Sequence, residues 1–408
     1  MIALNRIGKL KDLLNRYVDE GRAVGVHAVA LLGGDCVFSE AVGYRDRAAM
    51  LPLGEDALYR IMSMTKPLTV AAALMLWEEG RFHLADPVKE YLPAFDQMMV
   101  TTNVTETDYE LVAADRPITV RDLFLHTAGL SYHSPDHPKL ALLVKQKGLL
   151  NDLEPDCRPL SLAEYVDGIA ELPLVLQPGT RWHYSWAMDV LARLVEVVSG
   201  QGFAEYLDER LFGPLGMVDT SFGVPQDKLH RLTILNRYVQ GAEGGSQARM
   251  ESVPLESDPF VVETNPPRGG HGLVSSVTDY GRFCQFLLNG GSLAGTRLLS
   301  RRTVEFARAN HLPPSMLPFT PPSPVMAPPR TIPAQNGFGP LGVVVLDPAV
   351  GQTSLGSAGE FCFAGSAGTR FAIDPGENLV VMLFRQCLDD IDEWRLWDLV
   401  KTGIYQAL

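Results

Sequence analysis

The chain has little that would tie it to nucleic acid, a membrane or a disulfide scaffold. Its 408 residues carry 35 Lys and Arg against 48 Asp and Glu, a formal charge of −13. That balance offers no basic stripe for a phosphate backbone or an anionic bilayer, so neither nucleic acid nor membrane is expected as a partner. Nowhere do 18 apolar residues follow one another, so no spanning helix is expected. The N-terminal stretch lacks an unbroken apolar run because Lys9, Lys11, Asp12, Arg16 and Asp19 interrupt it, which excludes a signal-peptide reading and makes a cytoplasmic location the expectation. The five cysteines (Cys36, Cys157, Cys284, Cys362 and Cys387) include no Cys-x-x-Cys pair, which points to reduced thiols. A strict Gly-x-Ser-x-Gly elbow is missing too; "GGSLAG" and "AGSAGT" only approach it. No glycine-rich loop follows a strand and opens a helix as a phosphate site requires. No cofactor is therefore expected.

What is present is ordinary for a globular chain: 46% hydrophobic and 20% charged residues, with length enough for two lobes. Ile7, Leu10, Leu13, Leu14 and Val18 recur at helical spacing and predict an amphipathic first helix lying on the body of the protein. Val26–Leu32 and Cys36–Val42 read as a hairpin around Gly33-Gly34-Asp35. The stretch 95–265 reads as mostly helical, with "AMDVLARLVEVVSG" and "FAEYLDERLFGPLG" its clearest helices. Three late segments, "FGPLGVVVLDP", "FCFAGSAGTRFAIDP" and "NLVVMLFRQ", read as successive antiparallel strands, followed by a closing helix in "EWRLWDLVKTGIYQAL". Both ends thus bear strands and the middle bears helices. The expected architecture is α/β (α+β). It pairs residues 1–95 and 266–408 in one antiparallel sheet flanked by helices, adds a mostly helical lobe at 96–265, and puts the active site at their junction. Residues 312–335 hold too many prolines for helix or central strand and read as an extended loop, either a lid or disorder.

The segment "YRIMSMTKPLTVAAALMLWEEG" (59–80) carries the chemistry. Pro67 lacks an N–H and is comfortable only in a helical first turn, which predicts a helix from about 63 to 79 capped by Gly80. Beyond Pro67 the helix has no polar face and should be buried. Lys66, three residues after Ser63, can return its amine to the Ser63 hydroxyl, and burial lowers a lysine pKa. A weak serine nucleophile needs such a neighbouring base, and a helix N-terminus favours a developing oxyanion. Ser-x-x-Lys alone is weak, arising by chance about once or twice in a chain this long.

Four further landmarks follow in order: "LFLHTAGLSY" (123–132), "PGTRWHYSWAMDVLARLVE" (178–196), "GGHGLVSSVTDYGRFCQFLLNGG" (269–291) and "GEFCFAGSAGTRFAIDP" (359–375). With them the chain resembles the serine β-lactamase/penicillin-binding-protein-like superfamily. The resemblance is to its class C-like branch, which includes the family VIII carboxylesterases, and covers about residues 20–385. Ser-x-x-Lys is a signature of that superfamily. The resemblance implies Ser63 as the acylated nucleophile, Lys66 as its proton partner and Tyr184 as the tyrosine of Tyr-x-Asn. Either Lys66 or Tyr184 can be the base, the phenol by ionising or by relaying a proton as a neutral group. It further implies Phe363-Ala364-Gly365 in the place of Lys-Thr-Gly, with the N–H groups of Ser63 and Ser366 as the oxyanion hole. A shifted match on Ser357-Ala358-Gly359 stays open.

Two departures bear on substrate. Trp186 stands where Asn is expected, and Phe363-Ala364 replaces Lys-Thr, so a cation and a hydroxyl that bind a substrate carboxylate are missing. An apolar wall suits a neutral acyl or aryl group. Tyr132, Trp186 and Phe363 are candidate pocket residues, with core aromatics the other reading, and Arg370 is a candidate replacement cation. The expected activity is hydrolysis of small-molecule carboxylic esters through a Ser63 acyl-enzyme. Rival classes are a β-lactamase or D-alanyl-D-alanine peptidase, an acyltransferase, and a non-catalytic binding protein on the same fold. No metal site is expected: His133 and His137 in "HSPDH" are separated by Pro135, and His126 and His271 read as structural. Cys362 reads as a buried bystander.

Overall fold

The computed structural model describes residues 4–105, 108–132, 138–149, 160–239, 249–255, 258–261, 266–318, 336–349, 352–390 and 393–408. Strands from the two ends of the chain meet in one sheet. The first three are β1 (Gly25–Leu32), β2 (Asp35–Asp46) and β3 (Leu51–Pro52). The last five are β4 (Asn336–Gly339), β5 (Gly342–Val345), β6 (Phe361–Gly365), β7 (Thr369–Asp374) and β8 (Leu379–Phe384). Their order is β4-β5-β6-β7-β8-β1-β2-β3, with every neighbouring pair antiparallel. The chain ends join where β1 pairs β8, His27 facing Phe384 and Leu32 facing Leu379.

Alternation along β1 sorts side chains to two cores. Val26, Ala28 and Ala30 face a cluster with Val381 and Leu383 of β8. That layer is roofed by α1 (Leu4–Asp19) through Leu10 and Leu14, and by α5 (Glu393–Tyr405) through Leu396, Val400 and Ile404. Val29 faces the other way, into the larger core with Phe371, Met382 and Phe384. On that side lie α2 (Thr65–Glu78), α3 (Ala187–Ser199) and α4 (Val277–Leu288). Each fully buried Leu, Val or Phe there contributes about 1.5–3 kcal/mol of transfer free energy, so the packed faces dominate helix stability. Every residue from Thr65 to Leu76 is buried, as a helix apolar all round requires.

A polar knot ties α5 to the sheet. Lys401 Nζ donates to Glu360 at 2.5 Å, and Tyr405 Oη lies 2.8 Å from Glu360 and 2.6 Å from Asp374. Burial raises the Glu360 pKa, with Lys401 opposing it. Among the described residues no helix is long and apolar enough to cross a membrane.

Several local expectations differ from what forms. "FGPLGVVVLDP" and "FCFAGSAGTRFAIDP" are each two strands, because Pro340 and the Gly365–Gly368 turn reverse the chain inside them. The 95–265 stretch also contains a hairpin, Met99–Thr102 against Glu110–Ala113, that its helical reading missed. Of the proline-rich stretch, residues 319–335 lie outside the described residues, as do His133, His137 and Cys157. The described part, through Pro318, matters to the site.

Candidate active site

The helix that carries Lys66 starts two residues later than the Pro67 argument predicts. Thr65 opens α2, and Ser63 lies in the 3-10 turn Met62–Met64 just before it. Pro67 still occupies the first turn. The shift arises at Met62, whose φ of 46° falls in the left-handed region that a side-chain-bearing residue enters at a cost of about 1–3 kcal/mol. Such strain is sustained only where surrounding contacts hold it: here Ile61 N–H donates to Leu273 O at 3.0 Å and Met64 N–H to Ile61 O at 2.9 Å. The turn lifts Ser63, which is partly exposed, out of an otherwise buried segment.

Lys66 is 2% exposed, and its Nζ lies 3.1 Å from Ser63 Oγ and 2.6 Å from Gly270 O. Desolvation pulls its pKa down to about 7, and the charge of Asp189 opposes that fall. The amine is therefore uncharged above about pH 7 and can accept the Ser63 proton. Tyr184 is also hydrogen-bonded to Ser63. Its phenol does not ionise easily: burial raises its pKa, the Ser63 bond opposes this, and Asp189 adds to it. Of the two roles the sequence leaves to Tyr184, the neutral phenol is the one its surroundings favour. Lys66 Nζ sits over the Tyr184 ring at 4.5 Å and over the Tyr132 ring at 5.4 Å.

Phe363 faces this group, its ring 6.5 Å from that of Tyr184. Behind it Gly365 abuts the Ser63 turn so closely that an added Cβ would lie 2.2 Å from Ile61 O. Thr369 Oγ1 donates to the same carbonyl at 3.2 Å. Exposed Ser366 heads the turn that follows, closed by Gly368 N–H to Gly365 O at 3.0 Å. Ser357-Ala358-Gly359, the shifted alternative, lies before β6 instead, and Gly359 N–H bonds Val345 O. Gly365→Ala is expected to lower kcat by at least tenfold and stability by about 1–3 kcal/mol, because β6 must back away from the Ser63 turn. Steady-state kinetics with a chemical melt checks both.

Ala364 and Arg370 face each other across the β6–β7 pair. Cys362, two residues from Ala364, packs on the layer under α1 and α5, so this parity points away from Ser63. The candidate replacement cation is thereby corrected: Arg370 stacks over Trp394 of α5 at 3.6 Å, across the sheet. The Cys362 thiol is pushed up to about 11 by burial, consistent with a bystander.

Tyr132 stands beside Tyr184, rings 5.5 Å apart. Trp186 is buried behind it at 5.5 Å, its Nε1–H donating to Tyr165 Oη at 2.9 Å. An apolar wall continues from Tyr184 through Trp182, Phe338 and Leu312, with Met316, Leu317, Val343 and Phe363 packed against it. Leu312, Met316 and Leu317 belong to the proline-rich stretch, whose part in the site the sequence left open. His126 lies under this wall, 4.9 Å from the Tyr184 ring, and Ser185 N–H donates to its Nδ1 at 3.3 Å. Burial holds His126 well below the ordinary imidazole range, so it stays neutral.

Asp189 and the Gly269-Gly270 pair lie inside two of the sequence landmarks but received no site role there. Gly269 O accepts from Thr69 at 2.7 Å and Gly270 N–H donates to Asp189 at 3.0 Å. A lone acid in the apolar run "AMDVLARL" was the available signal.

The Ser63 turn, the buried helix that carries Lys66 and the end of strand β6 meet on a β-lactamase-type scaffold, where a serine hydroxyl lies beside a buried amine. The model of the Beta-lactamase family matches residues 10–399, and the chain belongs to that family. It is 32% identical to Protein Rv1367c of Mycobacterium tuberculosis over 351 residues, 85% of this chain and 82% of that one. It is 28% identical to Esterase EstB of Burkholderia gladioli over 391 residues, 93% and 90% of the two chains. Among solved structures, EstCE1, described as a hydrolase with promiscuous acyltransferase activity, superposes with a TM-score of 0.78 at 22% identity, covering 98% and 99%. The fold is that of the β-lactamases and transpeptidases.

Proposed function

We propose that the protein hydrolyses carboxylic esters of neutral, small acyl or aryl substrates through an acyl-enzyme on Ser63. The observation that carries this reading is the Ser63 hydroxyl held 3.1 Å from a buried amine whose pKa is near 7 and hydrogen-bonded to a neutral phenol. Lys66 takes the hydroxyl proton as Oγ attacks the ester carbonyl. The N–H groups of Ser63 and Ser366 receive the oxyanion, the proton held by Lys66 is relayed through Tyr184 to the departing alkoxide, and water then attacks the acyl-enzyme, its proton passing to Lys66 and on to Ser63 Oγ as the acid leaves. Membership of a family that includes Esterase EstB supports ester chemistry over a purely binding role.

The neutral-substrate preference rests on Phe363 and the apolar wall, with Arg370 turned to the far face. β-Lactam or D-alanyl-D-alanine substrates would bring a carboxylate to that wall, where it would be desolvated with no cationic partner among the wall residues described. An alcohol in place of water would make the same centre an acyltransferase, as the description of EstCE1 includes.

Intact-mass analysis after mixing with a fluorophosphonate tests the reading, together with turnover of p-nitrophenyl butyrate and of a penicillin. One adduct mapping to the Ser63 peptide, with ester turnover, is expected. An adduct on another residue, or none with no turnover, sinks it; a penicillin acyl-enzyme formed faster than the ester one moves the preference to β-lactams.

A further inference from the structure

Asp189, in the first turn of α3, is wholly buried, yet among the described residues only one of its carboxylate oxygens finds a partner. Oδ1 accepts Gly270 N–H at 3.0 Å, while Oδ2 has no hydrogen-bond partner among the described residues. Leaving a buried carboxylate oxygen unbonded is costly, and a residue kept only for packing would be expected to be apolar or fully satisfied. The bonded half shows where the carboxylate acts. Gly270, whose N–H it holds, accepts from Lys66 Nζ through its own carbonyl at 2.6 Å. One glycine thus spans the acid and the amine. Gly270 cannot be larger, because a Cβ there would lie 2.8 Å from Asp189 Oδ2 and 2.7 Å from Tyr132 Oη.

We propose that Asp189 is a positioning residue for Lys66: it fixes the Gly270 carbonyl against the amine and, by its charge, sets the pH at which that amine becomes a base. The inference rests on the ester-hydrolase reading of the same site. In a buried setting a nearby negative charge favours the protonated amine, opposing the desolvation that lowers its proton affinity. Without that opposing charge Lys66 would be a weaker base; with it, the amine sits near neutrality, where acceptance from serine and return to a leaving group are balanced. Among the described residues, the other titratable groups around the pair do not supply this charge. Tyr132 and Tyr184 are held as phenols by burial, and His126 is held neutral. Tyr280 Oη donates to Met64 O at 2.9 Å. Arg268 lies over the Tyr165 ring at 4.1 Å and donates to Leu160 O. His271, next to Gly270, is half-buried.

The test compares kcat/KM against pH for wild type, Asp189→Asn and Asp189→Glu with p-nitrophenyl butyrate, alongside fluorophosphonate labelling. Asparagine can still accept from Gly270 N–H but carries no charge. The acid limb of its profile is expected to move to lower pH by about one unit, with the plateau within about tenfold of wild type. Glutamate is expected to return the limb toward the wild-type position. If the Asn protein fails to fold, Asp189→Ser, smaller and also an acceptor, gives the same reading. A limb that stays in place while kcat falls, or moves upward, overturns the proposal and leaves Asp189 a structural residue. Wild type that neither labels nor turns over overturns the hydrolase reading instead, so the two failures are told apart.

Discussion

Lys66→Met is expected to reduce ester turnover by about 10³-fold or more while removing a pH-dependent penalty from folding. The sign follows from the two pKa values. In the folded chain burial holds the amine near 7, whereas in the unfolded chain it is free at about 10.5. Between those values the unfolded state binds one proton more, so wild-type stability rises with pH, by about 1.4 kcal/mol for each pH unit. Below pH 7 the difference is constant and the wild type carries the full penalty. Methionine has no such term. Urea melts at pH 7 and pH 9 should therefore show the wild type gaining about 2–3 kcal/mol relative to Lys66→Met across that interval. The absolute offset also contains the carbonyl of Gly270 left without its donor, so the pH trend is the quantity to measure. Parallel stability curves for the two proteins would mean that Lys66 keeps an ordinary pKa, and the base assigned to it would fail.

That penalty is the physical sense of a lysine inside a helix with no polar face, and it is legible in the sequence. Pro67 limits where α2 can begin, and Ser63, Lys66 and the apolar run after them state the chemistry. The strands at both ends were legible for a similar local reason, since alternation and turn residues are short-range signals. What escaped depends on contacts distant in sequence. Gly270 joins Asp189, 81 positions away, to Lys66, 204 positions away, and no periodicity records such a meeting. Met62 entering the left-handed region leaves no compositional trace either. Arg370 shows a third kind of failure. Its side of the sheet depends on parity, and parity was set by where the turn after Gly365 falls.

Tyr184→Phe separates the two candidate bases. The ring is wedged against His126 at 4.9 Å and Trp182 at 6.1 Å, so phenylalanine should keep its place and remove only Oη. Burial keeps the Tyr184 proton on through the whole working range, so the phenol relays a proton without ever supplying the charge that titrates. Loss of Oη should then cost about 10²–10³ in kcat, from a missing relay and a missing bond to Ser63, with KM changed little. The acid limb near pH 7 should persist in what activity remains, since it belongs to Lys66, and the ring beneath the amine is unchanged at 4.5 Å. Fluorophosphonate labelling of Ser63 should slow but still go to completion. If the limb vanishes with the phenol, the titrating base is Tyr184, and Lys66 serves as the cation that lets it ionise. In that case, the Asp189 charge would act chiefly on the phenol, and the wild-type gain over Lys66→Met between pH 7 and pH 9 would vanish as well.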